Sequence, residues 1–484
     1  MTDGPAIVWF RQDLRLADHA ALAAAAEGGR PVLPLYILDD VSPGAWRMGG
    51  ASRWWLHASL AALAAGLGRL GSPLVLRRGE AVATVVALVR SVDAAEVLVT
   101  RHVEPHWRNA DTRLRTILAE DGVAFRDLPG TTMFEPGSIR SRDGQPLKVF
   151  TPFWRACLTA PPPPRPLPAP VALRPAAARK GLAGDSLADW ALQPGKPNWA
   201  GGLRETWTPG EASAHARLVA FVEEEIGEYH LRRDRPEPSA TSMLSPHLHF
   251  GELSPRQVWH AVAARIEADS RRAAGGRRWL QEIGWREFCA HLTAANPQIA
   301  DAPLQPRFAA FPWSDDAAAL RAWQRGLTGY PIVDAGMRQL WRTGWMHNRV
   351  RMLVASFLVK HLLIPWQQGE AWFWDTLVDA DLGNNAGGWQ WVAGCGIDAA
   401  PYFRIFNPVL QGEKFDSKGD YVRRWVPELA RLPARLIHQP WQATPAELAA
   451  AGVRLGTDYP TPLIEHKAAR ARAMAAFSGL AARG

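Results

Sequence analysis

The stretches AIVWF at residues 6–10 and VLPLYIL at residues 32–38 are short, apolar and rich in β-forming side chains, without apolar–polar alternation. A strand covered on one face alternates, whereas a strand covered on both faces reads as a continuous apolar run, the pattern of parallel sheets. Further runs at Leu74–Leu76 and Val97–Thr100 repeat the pattern, separated by Ala/Leu-rich stretches such as Ala51–Leu70 and Val82–Val92. Strand–helix–strand units of this kind predict an α/β doubly wound parallel-sheet N-terminal domain over residues 1–130. No G-x-G-x-x-G follows the first strand. The usual phosphate cradle of a dinucleotide site is therefore missing from this domain.

Residues 161–175, PPPPRPLPAPVALRP, are too rich in proline for helix interior or central strand and read as an extended connector. The crossing is assigned to residues 131–200. Beyond Glu211 the lengths become helical: Ala214–Glu228, Pro255–Ala268, Arg277–Ala295, Ala317–Arg325, Val333–Arg342, Arg349–Leu363 and Glu370–Asp379. A basic, Ala-rich stretch from Glu465 to Arg483 reads as one terminal helix with a solvated face. Residues 201–484 are thus expected to form a larger, almost wholly α-helical C-terminal domain.

A chain of 484 residues, 47% hydrophobic and 21% charged, has the material for two substantial cores. Its formal charge of +8 favours an anionic partner, nucleic acid among others. Cys157, Cys289 and Cys395 lie far apart without a C-x-x-C pair, which excludes a disulfide framework, a zinc site and a four-cysteine iron–sulfur cluster. No apolar run reaches membrane-spanning length, and a soluble cytoplasmic protein is expected. Nothing demands more than a monomer. Twenty-three tryptophans against six tyrosines is a strong bias; core packing accounts for most, leaving a few to carry electrons or stack on bases.

Three segments carry chemistry. Thr241-Ser242-Met243-Leu244-Ser245 precedes Pro246 and a predicted helix. Its hydroxyls and backbone N–H groups suit phosphate, although capping of the helix is the plainer reading of hydroxyls alone. Trp345-Met-His-Asn-Arg-Val-Arg-Met352 places Asn348 and Arg351 three apart in an apolar surround, and residues 378–391 offer Asp379, Asp381, the paired amides Asn384 and Asn385 and a Gly-Gly pair. An arginine–aspartate pair alone can be structural. Amides, carboxylates and glycines together are suited to the edge of a flat heterocycle. Glu282 and Trp285, three apart on one predicted helix face, pair a carboxylate with an indole, which suits a nucleobase as well as it suits an ordinary amphipathic helix.

The motifs WMHNRVRM, DADLGNNAGGWQW, APYFRIFNPVLQGEKFD and TSMLS resemble those of the photolyase/cryptochrome family, specifically its microbial cyclobutane-dimer photolyases. The similarity extends from IVWFRQDLRLADHAAL to YPTPLIEHKAAR. It implies an antenna-holding α/β domain and a helical domain binding U-shaped FAD. Tyr229, Thr241, Ser242, Met243, Leu244, Ser245, Trp279 and Arg286 match positions around the FAD phosphates and sugars. Asn348, Arg351, Asp379, Asp381 and Asn385 match positions along the isoalloxazine and the bend, with Arg351 and Asp379 as the family's ion pair and Asn385 facing flavin N5.

The lesion pocket of the family maps onto Glu282, Trp285, Asn348, Met352 and Trp391, with Arg233, Arg349 and Gln411 touching DNA nearby. The resemblance implies that one electron passes from excited, reduced anionic FAD to a cyclobutane pyrimidine dimer, both ring bonds break, and the electron returns. Glu282, Asn348, Arg351 and Asn385 are the residues it implicates in catalysis, Glu282 by hydrogen-bonding the transient dimer anion. Trp389, Trp366 and Trp313 match the chain that photoreduces the flavin.

The antenna departs from the pattern. Aligning Glu104 places His106 and Trp107 where folate-binding relatives carry asparagine and glutamate, so the familiar folate contacts are absent. A methenyltetrahydrofolate held differently, an 8-hydroxy-deazaflavin and an empty site all stay open. Among rivals, a cryptochrome-like light sensor shares the fold, but the Glu282/Trp285/Trp391 pocket speaks for repair. His347-Asn348 in place of a His-His pair disfavours a six-four photolyase. An electron-transferring flavoprotein without a DNA role would leave the lesion residues unexplained.

Overall fold

All five residues of Ala6–Phe10 (β1) and all seven of Val32–Leu38 (β2) are buried, as their apolar runs require. With Val75–Arg78 (β3), Glu96–Thr100 (β4) and Ala124–Leu128 (β5) they form a five-stranded sheet in the order β3-β2-β1-β4-β5, every neighbouring pair parallel. The helices Ala20–Glu27, Gly50–Arg69, Ala81–Val92 and Pro105–Glu120 make the crossings. Strand order reverses at β1, so the loops leaving β1 and β4 converge at the switch point. The apolar pattern does not reveal two of these elements. The edge strand β5, AFRDL, is only partly buried, and Pro105–Glu120 buries just Ala110, Asp111, Leu114 and Leu118, a thin stripe on a charged helix.

The computed structural model describes residues 4–177, 183–236, 241–398 and 403–481. The chain packs as two compact units: Met1–Gly227, Ser242–Pro297 and Val378–Leu382 form one, and Glu228–Thr241, Gln298–Leu377 and Gly383–Gly484 the other.

Within the first unit, the segment after β1 delivers buried charges, each with a dedicated partner. Arg11 forks onto Asp111 and lies over the Trp9 ring at 4.0 Å. Asp13 meets His19 at 2.9 Å. Arg15 donates to the carbonyls of Asp18, Gly130 and Gly251 at 2.8–3.0 Å. Asp18, fully buried with φ of 54°, pairs with Arg256 at 2.7 Å and takes the Leu167 N–H at 3.0 Å. The Asp18 N–H donates in turn to the Leu167 carbonyl at 2.8 Å. That reciprocal pair pins the proline-rich segment, which forms neither helix nor strand between 161 and 174.

Several helix bounds differ from those expected. Ala214–Glu228 is not one helix: Glu211–Ala220 passes into a π turn, Phe221–Glu225, and then a tight turn, Ile226–Glu228. Arg272 draws the carbonyls of Val222 and Glu223 onto its guanidinium, and Gly275 lets its helix approach so closely that a Cβ there would lie 1.8 Å from the Ile226 carbonyl oxygen. In the second unit, Asn348–Ser356 likewise gives way to a π turn, Phe357–His361, before Leu363 adopts φ of 56°. Glu370–Asp379 starts and stops early: the helix is Trp366–Thr376, set by Pro365 ahead of it and extended Leu377 behind it, leaving Asp379 in a turn. The last helix is His466–Ala481; Arg483 lies outside the described residues, as do Ala400, Pro401 and Tyr402 of APYFRIFNPVLQGEKFD.

Asp18→Ala strips Arg256 of its buried counter-charge and Leu167 of its acceptor, with an expected stability loss of about 3–5 kcal/mol. Urea unfolding followed by tryptophan fluorescence measures it, and a loss below about 1 kcal/mol, the range of surface pairs, contradicts the assignment.

Candidate active site

The helix Ala273–Ala295 carries Trp279, Glu282, Trp285 and Arg286. Trp279 is buried with its ring 5.1 Å from Phe221. Glu282 is partly exposed and meets Arg278, one turn back, at 3.3 Å. One face of half-buried Trp285 lies on Phe150, ring centres 3.7 Å apart and planes within 9°. Arg286 donates to the Thr131 carbonyl at 2.8 Å and lies 3.4 Å from Glu287. Burial pushes Glu287 up to about 7 against the pull of Arg286 and of the Phe134 and Met133 amides.

The hydroxyl segment does not cap its helix. Leu244 occupies the cap position of the five-residue helix Ser245–His249 with no side-chain bond, Met243 has φ of 51°, and the Thr241 hydroxyl is buried without a hydrogen-bond partner among the described residues. Asp379 is buried, and Asp381 lies 3.9 Å from His249 Nδ1. At the antenna positions, Glu104 is buried 3.5 Å from His102 Nδ1, and burial pushes neighbouring His106 down to about 4. His106 packs its ring 4.5 Å from Trp107, so a neutral imidazole and an indole occupy those positions.

In the second unit, Asn348 is exposed as the first residue of its helix, Arg351 Nε donates to the Met346 carbonyl at 2.7 Å, and Arg349 meets Asp234 at 2.8 Å. Asp234 also lies 3.7 Å from Arg233. Burial opposes its ionisation, yet the bond from Arg349 and the two positive charges hold it below the usual carboxylate range. Tyr229 is buried with the Arg233 guanidinium 5.8 Å over its ring. Met352 lies 3.9 Å from Arg349, and Gln411 is half-buried on the helix Pro408–Phe415.

Asn385, Trp389 and half-buried Trp391 share the helix Leu382–Ala393. Asn385 Nδ2 donates to the Glu370 carbonyl at 3.0 Å, which turns the amide so that its oxygen stays available as an acceptor. An unpartnered buried hydroxyl and an amide oriented by the backbone fit the phosphate and ring edges of a flavin dinucleotide.

Residues 279–479 match the family model for the FAD-binding domain of DNA photolyase, and residues 6–171 match that for DNA photolyase. The deoxyribodipyrimidine photo-lyase of Agrobacterium fabrum is 48% identical over 478 residues, 98% of each chain. The chain belongs to the DNA photolyase family. A solved bacterial class III photolyase from Agrobacterium tumefaciens superposes with a TM-score of 0.94 at 47% identity, covering 99% of this chain and 98% of that one. Cryptochrome-1 of Arabidopsis thaliana is 39% identical over 98% of this chain and 70% of its own length.

In this photolyase the three expected relay tryptophans form a graded series. Trp389 and Trp366 are buried and Trp313 is partly exposed. Trp389 lies so close to Gly369, one turn after Trp366, that a Cβ on that glycine would lie 2.1 Å from the indole. Ser314, beside Trp313, donates its N–H to the Leu363 carbonyl at 2.7 Å, three residues before Trp366. Sequence reasoning missed Asp234, whose acidic side chain inside the basic run RRDR was a signal, and Phe150, for which no local signal exists.

His347 caps the helix of Asn348: its Nδ1 accepts the Arg349 N–H at 3.1 Å. Burial pushes its pKa down to about 4, below the usual value near 6.5. A folded-state pKa below the unfolded one gives stability that is complete above about pH 6.5 and lost as pH falls towards 4. NMR of labelled histidine is expected to show neutral His347 down to about pH 5, and a midpoint near 6.5 would contradict the capping role.

Proposed function

We propose that this photolyase uses light to split cyclobutane pyrimidine dimers in DNA. Whole-length similarity at 48% identity to a deoxyribodipyrimidine photo-lyase carries the reading, supported by the FAD-binding match and the oriented Asn385 amide. Residues 1–130 serve as antenna domain, 131–200 as connector and 201–484 as the FAD- and DNA-binding catalytic domain.

Bound and reduced, FAD would supply the light-driven one-electron chemistry that opens the cyclobutane ring with no net redox change. The chain supplies the surroundings. Tyr229, Thr241, Ser242, Met243, Leu244, Ser245, Trp279 and Arg286 hold the phosphates and sugars, and Asn348, Arg351, Asp379 and Asp381 the rest of the cofactor. Asn385, its Nδ2 engaged by the Glu370 carbonyl, would offer its oxygen as an acceptor to the ring edge of a bound flavin. Trp285 and Trp391 would offer flat apolar surfaces to flipped pyrimidines, and Glu282, Asn348 and Met352 match the family's other lesion-contacting positions. In its protonated form Glu282 would donate a hydrogen bond to the dimer as negative charge develops, a contact strengthened where water is excluded. Arg233, Arg349 and Gln411 bind DNA beside the lesion, and the arginine contribution weakens with salt.

Trp389, Trp366 and Trp313 carry electrons inward to keep the flavin reduced. At the antenna position three alternatives stand: a methenyltetrahydrofolate held without the usual contacts, an 8-hydroxy-deazaflavin, or an empty site. The protein is read as a cytoplasmic monomer; its three cysteines are buried and free, and no described helix is long and apolar enough to cross a membrane.

Reduced, purified protein under blue light is expected to restore a thymine-dimer oligonucleotide, with no restoration in the dark and none of a six-four product. Tight flavin without repair of either lesion would instead indicate a cryptochrome-like sensor. Trp366→Phe is expected to slow photoreduction of oxidised flavin by an external donor by at least an order of magnitude. Photoreduction at the parental rate would remove Trp366 from the relay.

A further inference from the structure

The lesion-facing role of Trp285 leaves open what fixes the plane of its indole. The helix Phe150–Thr159 buries Phe150, Phe153, Trp154 and Cys157, a stripe at i, i+3, i+4 and i+7. That stripe meets the helix of Trp285 at very short range. A Cβ on Gly284 would lie 2.4 Å from Trp154 Cε3, so only glycine admits this approach. Phe153 and Phe150 meet Phe288 at 5.3 and 5.9 Å, and His291 lies 4.9 Å from Phe153. The position of Phe150, itself only 3% exposed, is fixed from several directions.

Against this anchored ring Trp285 lies almost parallel, with centres 3.7 Å apart and planes at 9°. Trp154 continues the alignment on Phe150, 6.5 Å between centres at 8°, while Phe288 abuts the Trp285 indole edge-on at 5.9 Å and 80°. The face of Trp285 towards Phe150 is closed to any ligand. A base that stacks on this indole takes the opposite face, and the indole cannot tilt to follow it without giving up the Phe150 contact.

We propose that Phe150 is a positioning residue for lesion recognition: it backs Trp285 and holds the indole plane that a flipped pyrimidine meets. The proposal rests on the reading of Trp285 as a lesion-contacting residue. Its physical basis is preorganisation, since a ring already held in its bound orientation loses less freedom when the base arrives. A flat aromatic backing supplies this, and an aliphatic side chain of similar volume does not.

Flavin-loaded parental protein and the variants Phe150→Leu, Phe150→Tyr, Phe150→Ala and Trp285→Ala are titrated with thymine-dimer and undamaged oligonucleotides at one salt concentration. Flavin absorbance and thermal midpoint are recorded for each. Phe150→Leu is expected to lower the preference for dimer over undamaged DNA about 5- to 10-fold, the scale of one lost aromatic contact, with affinity for undamaged DNA retained. Phe150→Tyr is expected to keep the parental preference, and Phe150→Ala to match or exceed the leucine loss. Should Phe150→Ala fail to fold, the leucine and tyrosine pair decides. Full preference in Phe150→Leu alongside its loss in Trp285→Ala would overturn the proposal, as would an equal fall in affinity for both DNAs, which marks a purely structural role. Full preference in Trp285→Ala would overturn the lesion reading itself, and the proposal with it.

Discussion

A single carboxylate organises the first unit. Asp18, buried and in left-handed backbone conformation, faces three separate stretches of chain: its own β1 loop, the proline-rich segment at Leu167, and Arg256 at the start of the helix Pro255–Ala268. A charge with no access to water is tolerated only when fully partnered, so these stretches are tied to one point rather than to a diffuse apolar surface. Arg15 serves the same corner by gathering carbonyls from Asp18, Gly130 and Gly251. The sheet supplies apolar mass, and the short polar segment that follows its first strand decides what is held against it.

The sequence discloses the parts of this fold whose physics is local. Continuous apolar runs reveal β1 and β2 because burial on both faces leaves no polar position, and the edge strand β5 escapes notice because it alternates as any half-exposed segment does. Helix bounds fail where distant groups intervene: Arg272 captures carbonyls that a continuous helix would have kept for itself. The site shows the same division. Long motifs in order point to candidate residues, but not to the Glu370 carbonyl that turns Asn385, nor to Asp234 between two arginines. Phe150 lies far in sequence from Trp285, and nothing in its neighbourhood marks it as the ring behind that indole.

The tryptophan bias also divides by environment. Trp323 is wholly buried, gives its N–H to the Val354 carbonyl at 2.9 Å, and packs on Phe373 and Trp389, an ordinary core role. Trp389 is nearly as buried, yet its N–H has no partner among the described residues. Trp9 and Trp54 are likewise buried with an unpartnered N–H among the described residues, so this property alone does not mark a relay tryptophan. Composition alone assigns all twenty-three to one pool, and their individual surroundings differ.

The interleaving of the two units has a consequence for how such proteins exchange parts. Residues 228–241 belong with 298–377, and 378–382 with the amino-terminal unit, so the chain passes repeatedly from one unit to the other. Any single recombination point between two relatives therefore gives at least one unit mixed parentage. A crossover before 227 splits the first unit, one after 383 splits the second, and one between 242 and 297 or between 298 and 377 splits both. Viable hybrids should concentrate where the parents agree at contacts such as Gly284 with Trp154, where one added methyl has nowhere to go.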